Sequence, residues 1–103
     1  MNYNLVITQP AEKDLADILQ YISKDLSAPK AANDLLDDIL KCYDNISLNP
    51  LMYALCDNDR LKSKKYRKAV IKNYIMFYRV DEEKQIIYIM RFIYGRRDYI
   101  NLL

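Results

Sequence analysis

The stretch YRKAVIKNYIMFYRVDEEKQIIYIMRFIYGRRD, residues 66–98, decides the fold. It holds three apolar runs cut by two short polar breaks. Val70-Ile71 precede Lys72-Asn73, Tyr74 to Val80 precede Asp81-Glu82-Glu83-Lys84, and Gln85 to Tyr94 lead into Gly95, the single glycine of the chain. Tyr, Ile, Val and Phe suit a pleated, half-buried surface. Asn, Asp and clustered charge are the usual punctuation between strands. The stretch therefore predicts an antiparallel meander. Arg67, Lys68, Arg79, Arg91, Arg96 and Arg97 lie along it or just beyond it. A sheet carrying that much positive charge predicts an anionic or protein ligand.

Upstream, Tyr3, Leu5 and Ile7 alternate within residues 2–8, which predicts a short first strand. Thr8 is a capping residue, and Pro10 is tolerated in a first helical turn because its missing N–H has no partner there. Leu15, Ile18, Leu19, Ile22 and Leu26 then recur at helical spacing. Ser27-Ala28-Pro29 predicts a break and a second helix capped by Ser27. Its apolar stripe is Ala32, Leu35, Leu36, Ile39, Leu40, Tyr43 and Ile46, and it ends near Leu48 because Pro50 disfavours a helical Asn49. Asp34, Asp37 and Asp38 are expected to face water. Two helices joined by a few residues pack antiparallel. The predicted fold class is α+β: an N-terminal strand and a helical hairpin packed as one layer on a twisted antiparallel β-sheet. Within residues 49–65, Leu51, Met52, Tyr53 and Leu55 are expected beneath the helices, and Lys62-Ser63-Lys64-Lys65 as an exposed basic loop. After Gly95 the tail predicts one helical turn.

A chain of 103 residues predicts a single domain, residues 1–103, with one modest core. No signal-peptide pattern opens it, and no apolar run approaches the ~18 residues that would span a bilayer, so a cytoplasmic protein is expected. Cys42 and Cys56 have no bridging or metal-site spacing and read as free thiols. The chain has no histidine, which removes the commonest general base and the usual zinc ligand. Any catalysis must rest on Lys, Arg, Tyr or carboxylates, and no cofactor is expected. Charge is uneven. Residues 1–59 carry four lysines against ten carboxylates, a net of −6, while residues 60–103 carry 12 basic against four acidic residues, a net of +8. Such asymmetry predicts either an anionic partner for the basic half or mutual attraction between acidic helices and basic sheet.

Lys62, Lys64, Lys65, Arg67 and Lys68 read equally as phosphate contacts or as a lysine-rich edge that discourages aggregation. Arg79, between Tyr78 and Val80, reads as the structural partner of a helix Asp or as part of a binding surface with Arg91. Arg96-Arg97 predict contact with a partner. Most of the ten tyrosines are expected in the core with a wet edge. Tyr99, beside the arginine pair, is the one expected to act.

AEKDLADILQYI at residues 11–22, ISLNP at 46–50, YRKAVIKNYIMFYRV at 66–80 and IIYIMRFIYGRRD at 86–98 together resemble the RelE/ParE superfamily of toxins from bacterial type II toxin–antitoxin systems. The resemblance spans nearly the whole chain and is most specific in its last third. It implies a small α/β toxin neutralised by a cognate antitoxin that wraps it, and one of two targets. A RelE-like toxin cuts mRNA on the ribosome with Lys, Arg and Tyr side chains and no metal. A ParE-like toxin poisons DNA gyrase. Residue by residue, Lys68 matches a basic strand position of the nucleases, and Arg96 or Arg97 their arginine after the glycine. Ile75 falls where they tend to carry a catalytic arginine, Tyr66 where another basic residue is expected, and Leu102 near their late Tyr or His, for which Tyr99 is the available substitute. The resemblance thus assigns Lys68, Arg96, Arg97 and Tyr99 to a nuclease site, if there is one. Loss of a transition-state arginine costs several kcal/mol of barrier. The YGRRD…LL ending is more similar to ParE, whose members often have His at the position of Tyr94. A third expectation is an inactive homologue that binds antitoxin and regulates with it.

Overall fold

The computed structural model describes residues 2–103. Strand β1 (Asn4–Ile7) leads into helix α1 (Gln9–Gln20), a π-helical turn (Tyr21–Asp25) and helix α2 (Pro29–Leu48); a short helix α3 (Asp59–Ser63) precedes β2 (Arg67–Ile71), β3 (Tyr74–Asp81) and β4 (Ile86–Tyr94), and a 3₁₀ turn (Ile100–Leu102) closes the chain. The meander read from residues 66–98 is present: β2 pairs antiparallel with β3, and β3 with β4. The first strand completes the order β1-β4-β3-β2. It runs parallel to β4, so the sheet is mixed where the sequence predicted an antiparallel one. Alternation in β1 reveals which side chains share a face but carries no information about strand direction.

Thr8 joins β1 to α1 as expected. Its hydroxyl accepts from the Ala11 amide at 3.4 Å and donates to the Ile89 carbonyl at 2.8 Å, which fixes the helix start to β4. The second cap differs from expectation. Ser27 sits in the left-handed region at φ 50°, the N-cap of α2 is Ala28, and no side chain caps it. The cause lies upstream, where the π turn overshoots: the Leu26 amide reaches back to the Tyr21 carbonyl at 3.0 Å and Ala28 to Ile22 at 3.0 Å. That turn swings Leu26 out of the predicted stripe, to 54% exposure. Leu40 is likewise exposed, while Leu35, Ile39 and Ile46 are fully buried.

The register slips by one residue between Phe77/Arg91 and Tyr78/Ile89, leaving Met90 as a β-bulge in β4. A bulge reverses which face each later residue meets. Ile87 and Ile89 before it, and Phe92 after it, therefore all join the helix-side core with Met76, Tyr78 and Ala69. Tyr78 is fully buried with its hydroxyl donated to the Pro50 carbonyl at 2.9 Å, and burial pushes that phenol up to about 12.

The sequence predicted one core, and the structure has two. Ile75, Phe77 and Ile93 form a second, smaller cluster with Cys56, Leu61 and Tyr66, closed by Tyr99 and Leu103 of the tail. Helix α3 carries Leu61 into it, capped by Asn58, whose side chain accepts from the Leu61 amide at 3.2 Å. Lys62 and Ser63 therefore belong to a helix, where a loop was expected. Leu51 and Met52, expected beneath the helices, are 47% and 43% exposed. Both cysteines are free and buried.

Candidate functional site

Across the middle of the sheet, Phe77 lies opposite Lys68 on one side and Arg91 on the other. The Tyr99 ring covers Phe77, with centroids 5.1 Å apart, and the Lys68 ammonium sits 6.0 Å from the Tyr99 ring centre, within cation–π reach. The structure thus brings Lys68 and Tyr99 together around a buried phenylalanine. Arg96 and Arg97 follow in the exposed turn after Gly95, where the Arg97 amide donates to the Tyr94 carbonyl at 3.0 Å. Gly95 sits close to the neighbouring strand end: its amide bonds the Asn73 carbonyl at 2.9 Å, and an added Cβ would lie 3.3 Å from that oxygen, a tight contact that would push the two apart by a few tenths of an ångström.

Arg91 is committed inward. Its Nε donates to Asp14 Oδ2 at 2.6 Å, one Nη to Asp14 Oδ1 at 3.1 Å and the other Nη to the Leu102 carbonyl at 3.3 Å. The Asp14 carboxylate holds the guanidinium charged, raising its pKa. Asp14 also accepts from the Phe92 amide at 3.1 Å. Strand β1 stops opposite Ile89, so β4 beyond it has a bare edge, and an unpaired amide there would be costly. The one carboxylate satisfies that edge and clamps the arginine that holds the tail. The Arg91 guanidinium, expected on a binding surface, is thus engaged in bonds within the chain.

Arg79 is the converse. It forms no ion pair among the described residues and is exposed opposite Tyr88, so the predicted pairing with a helix Asp is not present. Period-two reasoning could not separate these two arginines, because both face the side of the sheet that carries Phe77; what separates them is Asp14, which pairs with Arg91 alone. Arg79 lines a cleft of about 580 Å³ together with Lys65 and Arg67, faced by Asp81, Glu82 and Glu83. Arg67 is half-buried and donates to the Tyr53 carbonyl at 2.7 Å. Lys62 and Lys64 are exposed on and just after α3.

The acidic helices take up little of the basic half. Among the described residues, only Arg91–Asp14 and Lys72–Asp38 (3.2 Å) link helix to sheet side; Lys13–Asp17 and Lys30–Asp34 lie within single helices. Asp38 is thus partly engaged, where all three aspartates of that face were expected in water. Lys62, Lys64, Lys65, Lys68, Arg79, Arg96 and Arg97 keep their charge available. Ile75, where the nuclease resemblance would place an arginine, is 7% exposed in the second core. Tyr66, at another expected basic position, is buried beside it. Asp14 is the residue sequence reading missed. Its place near the helix start was visible, but nothing in the pattern announced a bare strand edge.

A family model for the ParE toxin of type II toxin–antitoxin systems matches residues 5–99. Two solved assemblies are similar in fold. One is the toxin–antitoxin complex RelBE2 from Mycobacterium tuberculosis, with a TM-score of 0.64 and 19% identity over 91% of this chain and 99% of that one. The other is the chromosomal ParDE TA system from P. aeruginosa, with a TM-score of 0.69 and 19% identity over 89% of this chain and 95% of that one. No curated protein sequence matches.

Proposed function

The chain belongs to the ParE toxin family of type II toxin–antitoxin systems, and from that premise we propose that it acts on DNA gyrase and is held inactive by a cognate antitoxin bound across its sheet. The observation that carries the choice of target is Ile75. A nuclease of the related branch would need a cation there to stabilise charge on the reacting phosphate. Here the position is apolar, buried and packed against Phe77 and Ile93. An arginine could not occupy it without leaving a charge in the second core, a strongly unfavourable arrangement. Arg91, the nearest alternative guanidinium on the sheet, is bound to Asp14. The antitoxin reading draws on the two fold neighbours, both toxin–antitoxin assemblies, and on the row of exposed cations that a partner would cover.

One arrangement favours the second reading, a ribosome-dependent endoribonuclease: the Lys68 ammonium over the Tyr99 ring. That pair could supply a base and an acid on one phosphodiester. The deciding experiment runs both assays on the same purified toxin. We expect gyrase supercoiling to fall and cleaved DNA–gyrase complexes to accumulate, with mRNA on ribosomes intact. Ribosome-dependent mRNA breaks that disappear in Arg97→Ala, with supercoiling unaffected, would reverse the assignment. No effect in either assay, and no growth arrest on induction without antitoxin, would leave an inactive homologue.

A further inference from the structure

At the end of the sheet remote from the cleft, the π turn and the two hairpin strands enclose a second cavity of about 530 Å³. It is lined by Tyr21, Tyr74 and Tyr94, by Ile18 and Leu26, and by Asp17 and Asn73. Tyr21, Leu26 and Tyr94 are three of the chain's exposed large apolar side chains, at 49%, 54% and 37%, and all three border this one space. The Tyr74 and Tyr94 rings meet edge to face, with centroids 5.7 Å apart and planes at 62°. The three tyrosines come from separate elements, the π turn, β3 and β4, and line this one cavity; burial raises the Tyr74 phenol.

Two features give this cavity a chemical preference. The chain carries 16 lysines and arginines, yet among the described residues none lines it. Its one formal charge is the Asp17 carboxylate, whose only bond among the described residues is a surface pair with Lys13 at 2.9 Å, with 78% and 63% of the two side chains exposed. Such a pair is weak and exchangeable. Aromatic faces attract cations through the ring quadrupole, and several rings around an apolar space with a nearby carboxylate are the usual setting for organic ammonium and guanidinium groups. π turns also recur where a helix has been reshaped around a site; here the turn moves Tyr21 and Leu26 to the rim.

We propose that Tyr21, Tyr74 and Tyr94, with Asp17, form a cage for an organic cation, distinct from the basic face that carries the toxin's proposed target contacts. The cation is either a free alkylammonium compound or the basic side chain of a bound protein. The test is a titration of the full-length toxin, with tyrosine rings isotopically labelled and followed by NMR. The probes are choline, the uncharged isostere of choline with a tert-butyl group in place of trimethylammonium, spermidine, and the capped tripeptide Ac-Gly-Arg-Gly-amide. The proposal expects saturable shifts at these three rings with a cationic probe, and at least about fivefold weaker binding of the neutral isostere than of choline. It further expects cation binding to weaken in Tyr94→Leu and Asp17→Asn, both at solvent-accessible positions. Tighter binding of the peptide than of spermidine or choline assigns the cation to a partner's side chain, and the reverse order to a free ligand; either upholds the site. Equal binding of choline and its neutral isostere would overturn the proposal, as would the absence of saturable ring shifts with every cationic probe.

Discussion

The two faces of the sheet are closed in different ways. On one, α2 lays Leu35, Ile39, Cys42 and Ile46, and α1 adds Ala11, over Ala69, Met76, Tyr78 and Ile89, all of them buried. On the other, a five-residue helix and the last five residues cover Ile75, Phe77 and Ile93. The first face is held by area: long amphipathic helices remove much apolar surface from water, at about 25 cal/mol per Å². The second is held by a few directed contacts, chiefly the Tyr99 ring on Phe77 and the arginine bonds from Arg91 and Arg60 to tail carbonyls, both 3.3 Å. The contrast teaches where each job sits. The helix side supplies global stability, and the exposed cations are arranged around the lightly covered side, where local opening costs less.

The sharpest way to break this contrast is to cut equally into both sides. Leu35→Ala should lower unfolding free energy by about 2–5 kcal/mol, the range for a buried leucine in a packed core. Tyr99→Ala should cost only roughly 1–2 kcal/mol, as a partly exposed cover. Chemical denaturation measures both. Hydrogen exchange adds the discriminating detail: in Tyr99→Ala the Ile75 and Ile93 amides should exchange faster while those of α2 hold. Equal global losses from the two substitutions would mean the second face is no less structural than the first.

Asp14 ties the two sides together, and its removal should fall between these effects. Asp14→Ala takes away the Arg91 partner and the acceptor of the Phe92 amide at once. Breaking a buried pair costs about 3–5 kcal/mol. The Asp14 and Arg91 side chains are 18% and 31% exposed, so solvent softens the loss, and about 1–3 kcal/mol is expected. Because Arg91 also bonds the Leu102 carbonyl, the tail should loosen with it. Faster exchange or proteolysis at residues 99–103 in Asp14→Ala, absent in Lys13→Ala, would show the link.

Much of this architecture is legible in the sequence, and the illegible parts share a physical cause. Apolar runs and their punctuation place β2, β3 and β4, and helical spacing places α1 and α2, because each signal repeats over many residues. Signals of a single residue's width are lost. The bulge at Met90 is one inserted residue, and α3 is a turn too short to show a period. The direction of β1 leaves no trace in its alternation. The site suffered in the same way: Arg79 and Arg91 share a face and look alike, and an unseen strand edge hides the Asp14 that sets them apart. Where reading depended on composition alone, as for the basic half, the structure leaves the charges outward.

The smallest stability effects belong to those outward charges, and that is their diagnostic value. Lys65→Ala, Arg79→Ala and Arg96→Ala each remove an exposed cation with no ion pair among the described residues. Each should change unfolding free energy by no more than about 0.5 kcal/mol. If the lightly covered side is the working surface, the same substitutions should reduce inhibition of the target, and any weakening of binding should grow as salt is lowered, since screening mutes exposed charge. Growth arrest on induction, read beside denaturation midpoints, separates the two roles. A variant that melts like the wild type but no longer arrests growth places its cation in the contact with the target. A variant that loses activity in step with stability would move that residue to the structural side, alongside Arg91.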